Sequence, residues 1–216
     1  MIVAPSLLAF DFTDIKNQIE TINPLVDWLH FDVMDGNFVP NISFGPQILK
    51  DVKKISPLFM DAHLMVKDPL FYAEVFKNAG ADLITFHLEA TTGINECKNI
   101  INKIHELGLK AGISIKPKSE VNEILNVLDI VDLVLVMSVE PGFGGQKFID
   151  SAYDKVKELY NLRNKHHYNY LIEVDGGVND TTGPKLVTLG ADVLVSGSYL
   201  IKGDVKENIN KLSVNN

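Results

Sequence analysis

The sequence predicts a closed barrel of eight parallel strands joined by helices, a (β/α)8 fold of the TIM-barrel kind. Three observations lead there: eight short apolar runs, amphipathic stretches between them, and a glycine joint that recurs between helix and strand. Alternating β and α elements imply a parallel sheet, because each parallel pairing needs a crossover long enough to hold a helix. Strand starts recur every 22 to 38 residues, and eight such units in 216 residues suit a barrel at the compact end of its range. A doubly wound open sheet is the competing arrangement. It is usually marked by a glycine-rich turn after the first strand, and LAFDFTD (8–14) has none.

The elements follow in order. VAPSLL (3–8) is the first strand, and Phe12, Ile15, Ile19 and Ile22 after it keep helical 3/4 spacing. WLHFDVM (28–34) and LFMDAHLM (58–65) are the second and third strands. Asp68-Pro69 then provides a cap and a first-turn proline for a helix through Tyr72, Val75, Phe76 and Ala79, which Gly80 stops. That helix runs into the fourth strand, DLITFHL (82–88), through NAGADLITF (78–86): helix end, glycine cap, short turn, buried strand. Leu107-Gly108-Leu109 repeats the device before LKAGISI (109–115), and Cys97 falls on the preceding helical pattern in a packing role. DLVLVMSV (132–139) and YLIEVD (170–175) are the sixth and seventh strands. TLGADVLVS (188–196) repeats the joint before the eighth, DVLVSGS (192–198), and Val205, Ile209 and Leu212 mark a closing helix. No linker, charge block or low-complexity tract interrupts the chain, so residues 1–216 read as a single barrel domain.

Composition narrows the function. The net charge is −8, which argues against a nucleic-acid or anionic-membrane surface but leaves room for a small anion held by backbone amides. One cysteine permits no intrachain disulfide and favours a cytoplasmic setting. MIVAPSLLAF lacks the basic lead of a signal peptide, and no apolar run approaches the ~20 residues that span a bilayer. The expected partner is a small molecule, with no nucleic acid and no membrane; a homo-oligomer is left open.

Within the second strand, LHFDVMDGNFVPN (29–41), period-2 alternation puts His30, Asp32 and Met34 on one face and Leu29, Phe31 and Val33 on the other. In a barrel the active site forms at the strands' C-terminal ends, and there lie Ser6, His30, Asp32, His63, His87, Glu89, Met137, Ser138 and Asp175. A lone histidine such as His87 reads as a bonded core residue. His30, Asp32, His63 and Asp175 together are too costly to bury without partners, and a divalent metal supplies them. Two imidazoles and two carboxylates suit zinc, iron(II), manganese or cobalt. EPGFGGQ (140–146), DGGV (175–178) and SGS (196–198) follow the last three strands, where free backbone N–H groups can cradle a phosphate. Met34, Met65 and Met137 at the strand ends offer an apolar shell that excludes water.

LHFDVMDGNFVPN, DAHLMV (61–66), TFHLEA (85–90), VMSVEPGFGGQKF (136–148) and EVDGGV (173–178) together make the chain resemble the ribulose-phosphate 3-epimerase family over nearly its whole length. The resemblance implies a ribulose-phosphate-binding barrel with His30, Asp32, His63 and Asp175 as ligands of one divalent metal. It further implies Asp32 and Asp175 as the acid/base pair. Ser6, His63, Gly142, Phe143, Gly176 and Val178 would contact substrate, with Gly144, Gly145, Gly177, Gly197 and Ser198 in its phosphate-binding turns. Asn37, Ala9-Phe10 and Lys116-Pro117-Lys118 depart from the family's usual residues, and none removes a ligand. The implied activity is C3 epimerisation of a ketopentose phosphate, D-ribulose 5-phosphate to and from D-xylulose 5-phosphate, through an enediolate. The rival readings are a 3-epimerase for allulose 6-phosphate, a decarboxylase or aldolase, and a non-catalytic sugar-phosphate-binding barrel. Lysines at strand ends would mark the decarboxylase or aldolase, and in this chain those places hold histidine and aspartate.

Overall fold

The computed structural model describes residues 1–213; residues 214–216 of the expected domain lie outside the described residues. Eight strands form one sheet: β1 (Ile2–Pro5), β2 (Trp28–Met34), β3 (Phe59–Met65), β4 (Leu83–His87), β5 (Lys110–Ile115), β6 (Leu133–Met137), β7 (Leu171–Asp175) and β8 (Val193–Ser196). Every pairing is parallel, in the order β1-β8-β7-β6-β5-β4-β3-β2. The two ends of that order, β1 and β2, meet at a single bridge between Ser6 and His30. This closes the barrel.

Among the described residues seven α-helices surround it: α1 (Ile15–Ile22), α2 (Pro46–Ile55), α3 (Pro69–Ala79), α4 (Ile94–Glu106), α5 (Ser151–His166), α6 (Thr182–Leu189) and α7 (Val205–Ser213). The Asp68 carboxylate accepts from Phe71 N–H at 3.0 Å and caps α3, with Pro69 in the first turn. Gly80 and Gly190 end α3 and α6 in the left-handed conformation, as the repeated joint requires. The crossover from β5 to β6 differs: Val121–Val127 winds as a 3-10 helix. Val121, Ile124 and Val127 recur every third residue, and all three are fully buried. A three-residue turn stacks them on one face, which a 3.6-residue turn would not.

Strand ends fall a little short of the apolar runs. β1 stops at Pro5 rather than Leu8, because Leu7–Ala9 coils into a 3-10 turn that packs Leu7 into the core. Phe12 precedes α1 and is exposed, although its spacing fits the helix.

Alternation along β2 separates two environments. Leu29, Phe31 and Val33 join Ala62, Leu64 and the inner helix faces in the main core. The opposite face looks into the barrel. Its base is apolar: Trp28 stacks on Phe59 with centroids 4.4 Å apart, and Leu83, Leu133, Leu135 and Leu171 pack around them. Toward the strand C-termini the interior turns polar, and there His30, Asp61, His63, Thr85, His87, Ser114 and Glu173 are all fully buried.

Candidate metal and substrate site

Above this polar layer opens a cleft of about 850 Å³. Ser6, Asp32, Met34, Met65, Met137 and Asp175 line it, as do Gly142, Phe143, Gly144, Gly145, Gly176, Gly177, Val178, Gly197 and Ser198. Of the residues expected as metal ligands, substrate contacts or apolar shell, His30 and His63 are not in its lining, and neither are His87, Glu89 and Ser138 at the same strand ends. His30 and His63 are fully buried beneath it.

β2, β3 and β7 bring four of these groups together. One ligand atom each from His30, Asp32, His63 and Asp175 lies within 4.8 Å of the others. Adjacent parallel strands set this up, since Asp32 and His63 are register partners on β2 and β3. Asp32 is held from three sides. Ser6 Oγ donates to Oδ2 at 2.7 Å, while His63 Nδ1 and His30 Nε2 lie 3.1 and 3.3 Å from Oδ1.

Asp61 and Glu173 lie one layer deeper, each two residues before a candidate ligand. His30 Nδ1 donates to Asp61 Oδ2 at 2.5 Å, and a Glu173 oxygen is 3.6 Å from the same nitrogen. A carboxylate only accepts, so the His30 ring directs Nε2 upward, where it has no hydrogen-bond partner in the protein. An orphaned imidazole nitrogen beside a carboxylate oxygen is the environment a cation satisfies. The donor set of two nitrogens and two carboxylates fits zinc, iron(II), manganese or cobalt.

Electrostatics separates the two cleft aspartates. Burial opposes ionisation of Asp32, but His30 and His63 outweigh it and hold the carboxyl far below the usual range. Burial and then the charge of Asp32 push Asp175 up to about 6. Deeper down, burial and the neighbouring Asp61 raise Glu173 well above its ordinary value, favouring its neutral acid. Burial resists a charge on His30, yet Asp61 and Asp32 together draw its pKa well above the ordinary imidazole value.

The glycine turns form the cleft's other wall. At Gly177 φ is +63°, and a Cβ would stand 2.7 Å from Phe148 N, so this turn excludes any side chain. Gly145 is also left-handed at +71° but has open space around it. Gly197 is crowded by the Ala9 side chain at 3.0 Å, so a larger residue there would strain the packing.

Sequence reasoning missed Asp61 and Glu173. Their signal was available: DAH (61–63) and EVD (173–175) repeat the i, i+2 polar spacing of HFD (30–32), which puts each pair on one strand face. Among the described residues no helix is long and apolar enough to cross a membrane.

Comparison with known proteins places the whole chain. The profile of the Ribulose-phosphate 3 epimerase family matches residues 2–201. Ribulose-phosphate 3-epimerase of Bacillus subtilis is 43% identical over 213 residues, covering 97% of this chain and 97% of that protein. The Treponema pallidum protein of the same name is 42% identical, covering 94% and 93%. Among solved structures, 3-hexulose-6-phosphate synthase from Salmonella typhimurium superposes with a TM-score of 0.73 at 20% identity over 99% of this chain and 97% of that one, a likeness of fold alone. With the family profile spanning the barrel and relatives above 40% identity along nearly all of it, the chain belongs to the ribulose-phosphate 3-epimerase family.

Proposed function

We propose that this chain interconverts D-ribulose 5-phosphate and D-xylulose 5-phosphate, with Asp32 and Asp175 exchanging the proton at C3. The observation behind this is the aspartate pair itself. Both carboxylates reach one group of ligand atoms 4.8 Å across, yet their surroundings push their pKa values apart, that of Asp32 down and that of Asp175 up to about 6. Two carboxyls with separated pKa values are what an acid/base pair needs. The ionised one removes the C3 proton, and the protonated one returns a proton to the other face of the resulting enediolate. Inversion follows because the two groups approach from different strands, β2 and β7.

A divalent ion held by His30, Asp32, His63 and Asp175 would supply Lewis-acid stabilisation to the negative charge at the 2-keto and 3-hydroxyl oxygens. Ser6 orients Asp32 through its 2.7 Å hydrogen bond. Met34, Met65 and Met137, each at most 4% exposed, form an apolar wall that limits water at the reacting carbon. The backbone of Gly144, Gly145, Gly177, Gly197 and Ser198 would hold the phosphate, with Gly142, Phe143, Gly176 and Val178 shaping that end of the cleft. Amide donors explain how a chain of net charge −8 takes a dianion. We place the reaction in the cytoplasm, in keeping with the single buried cysteine.

A coupled assay on ribulose 5-phosphate and allulose 6-phosphate, with elemental analysis of the same preparation, tests this. Faster turnover of the pentose with about one divalent ion per chain is expected. Faster turnover of the hexose would transfer the assignment to the six-carbon substrate.

A further inference from the structure

Two polar residues at the end of β4, His87 and Glu89, take no part in the chemistry above. They are nevertheless built into a continuous chain of contacts. Glu89 Oε1 accepts from Lys116 N–H at 2.7 Å and from Ser119 Oγ. Its other oxygen, Oε2, is 3.2 Å from His87 Nδ1. His87 Nε2 is 2.8 Å from His63 Nε2, and His63 Nδ1 is 3.1 Å from Asp32 Oδ1. The loop that fixes Oε1 is itself pinned: the buried Lys155 ammonium donates to the carbonyls of Lys116, Pro117 and Ser119.

The order of donors along this chain follows from its end. A carboxylate only accepts, so His87 carries its proton on Nδ1 and donates it to Glu89. His63 turns Nδ1 toward Asp32 in the candidate ligand group and Nε2 toward His87, so a His63 that ligates keeps its proton on Nε2 and His87 Nε2 accepts it. The contact between the two Nε2 atoms then requires the proton on His63. Any lone pair that His63 offers must be on Nδ1, facing Asp32.

We propose that Glu89 is a positioning residue for the metal site: through His87 it fixes a proton on Nε2 of His63 and so presents Nδ1 as the ligand atom. This rests on His63 being a metal ligand, as proposed above. Partners that fix a histidine's tautomer typically change metal affinity about 10- to 100-fold when altered. The relay extends that control from β3 through β4 to the loop after β5.

Glu89→Gln reverses the relay at constant shape. The donors Lys116 N–H and Ser119 Oγ retain the amide oxygen, so the amide NH2 faces His87 Nδ1. His87 must then accept there and donate from Nε2, which forces the proton of His63 onto Nδ1. Two measurements on the full chain decide the matter. The first is a Co2+ titration followed by visible absorbance, with Glu89→Gln expected to bind about 10-fold or more weakly than wild type. Equal affinity within two-fold would overturn the proposal. The second uses only wild type, so it survives a variant that fails to fold: 15N NMR of the histidine side chains in EDTA at pH 7. A proton on Nε2 of His63 and on Nδ1 of His87 is expected, and a neutral His63 protonated on Nδ1 would overturn the relay. Wild type that binds no Co2+ would sink the metal-site reading, and the positioning role of Glu89 with it, whereas intact wild-type binding with an unaffected variant would sink the relay alone.

Discussion

At the scale of single residues, Asp175 gives the sharpest test because its environment works against its charge. Its pKa rises from 3.8 to about 6, so the folded chain holds this proton to higher pH than the unfolded chain does. The stability it contributes is present at low pH and lost as pH rises from about 4 to about 6. Asp175→Asn removes that loss. With the metal chelated, the variant is expected to gain on wild type as pH rises through this window, levelling off above 6. Two pKa units correspond to about 3 kcal/mol, and partial solvent access at Asp175 reduces this to about 1–2 kcal/mol. Denaturant midpoints at pH 4.5 and 7 measure the difference; a gap that does not widen with pH would mean that Asp175 is not destabilised by burial. The same variant probes the chemistry. If Asp32 alone remains, the epimer whose C3–H faces it should exchange that proton with deuterated water while keeping its configuration, provided metal content survives. Interconversion near the wild-type rate would exclude Asp175 as the second base. His63→Ala is expected to lose metal and activity together, and full metal occupancy in it would remove His63 from the ligand set.

At the scale of elements, the turns after β6 and β7 separate a structural glycine from a binding one. Gly177 is left-handed and faces the backbone of Gln146 and Phe148, so Gly177→Ala combines about 1–2 kcal/mol of backbone strain with about 1–3 kcal/mol of overpacking. Gly145 has the same handedness but nothing within 4 Å of its Cβ position, so Gly145→Ala incurs the strain alone. Melting temperature should fall clearly in the first and little in the second, while KM for the sugar phosphate rises in both. A Gly145→Ala enzyme with unchanged KM would remove that amide from the phosphate site. Most of this layer was legible in the sequence, for physical reasons. Periodicity 2 and 3.6 marked strands and helices, and Gly80 and Gly190 announced themselves because a left-handed cap favours glycine. The 3-10 crossover Val121–Val127 was harder to read, since its apolar residues at every third place overlap the helical pattern. The four candidate ligands stood out as polar residues at strand ends. Asp61 and Glu173 did not, because a carboxylate beneath a ligand resembles any strand polar residue until the register places it against His30.

For the whole molecule, the site is also a fastening of the barrel. β1 and β2 join through one bridge, Ser6 to His30, reinforced by the Ser6–Asp32 hydrogen bond, whereas the other seven neighbours share full ladders. His30 and Asp32 on β2, His63 on β3 and Asp175 on β7 would tie this seam across the mouth to the far wall when an ion is bound. Without the ion, the Asp32 charge works against Asp175 and His30 Nε2 has no hydrogen bond. The base relies on none of this, since Trp28, Phe59, Leu83 and Leu133 pack there as an apolar plug. Chelation is therefore expected to act unevenly. Amide exchange should accelerate around Ser6, Val33 and Val174, near the mouth, and change little around Trp28 and Leu133. Global stability should also track free metal, by about 4 kcal/mol at a thousand-fold excess over Kd, seen as a melting temperature that climbs with added Co2+ or Zn2+. A melting temperature indifferent to metal would show that the four groups do not bind an ion in the folded state. Acceleration spread evenly over both ends of the barrel would instead show that the seam at Ser6 is no weaker than the rest of the sheet.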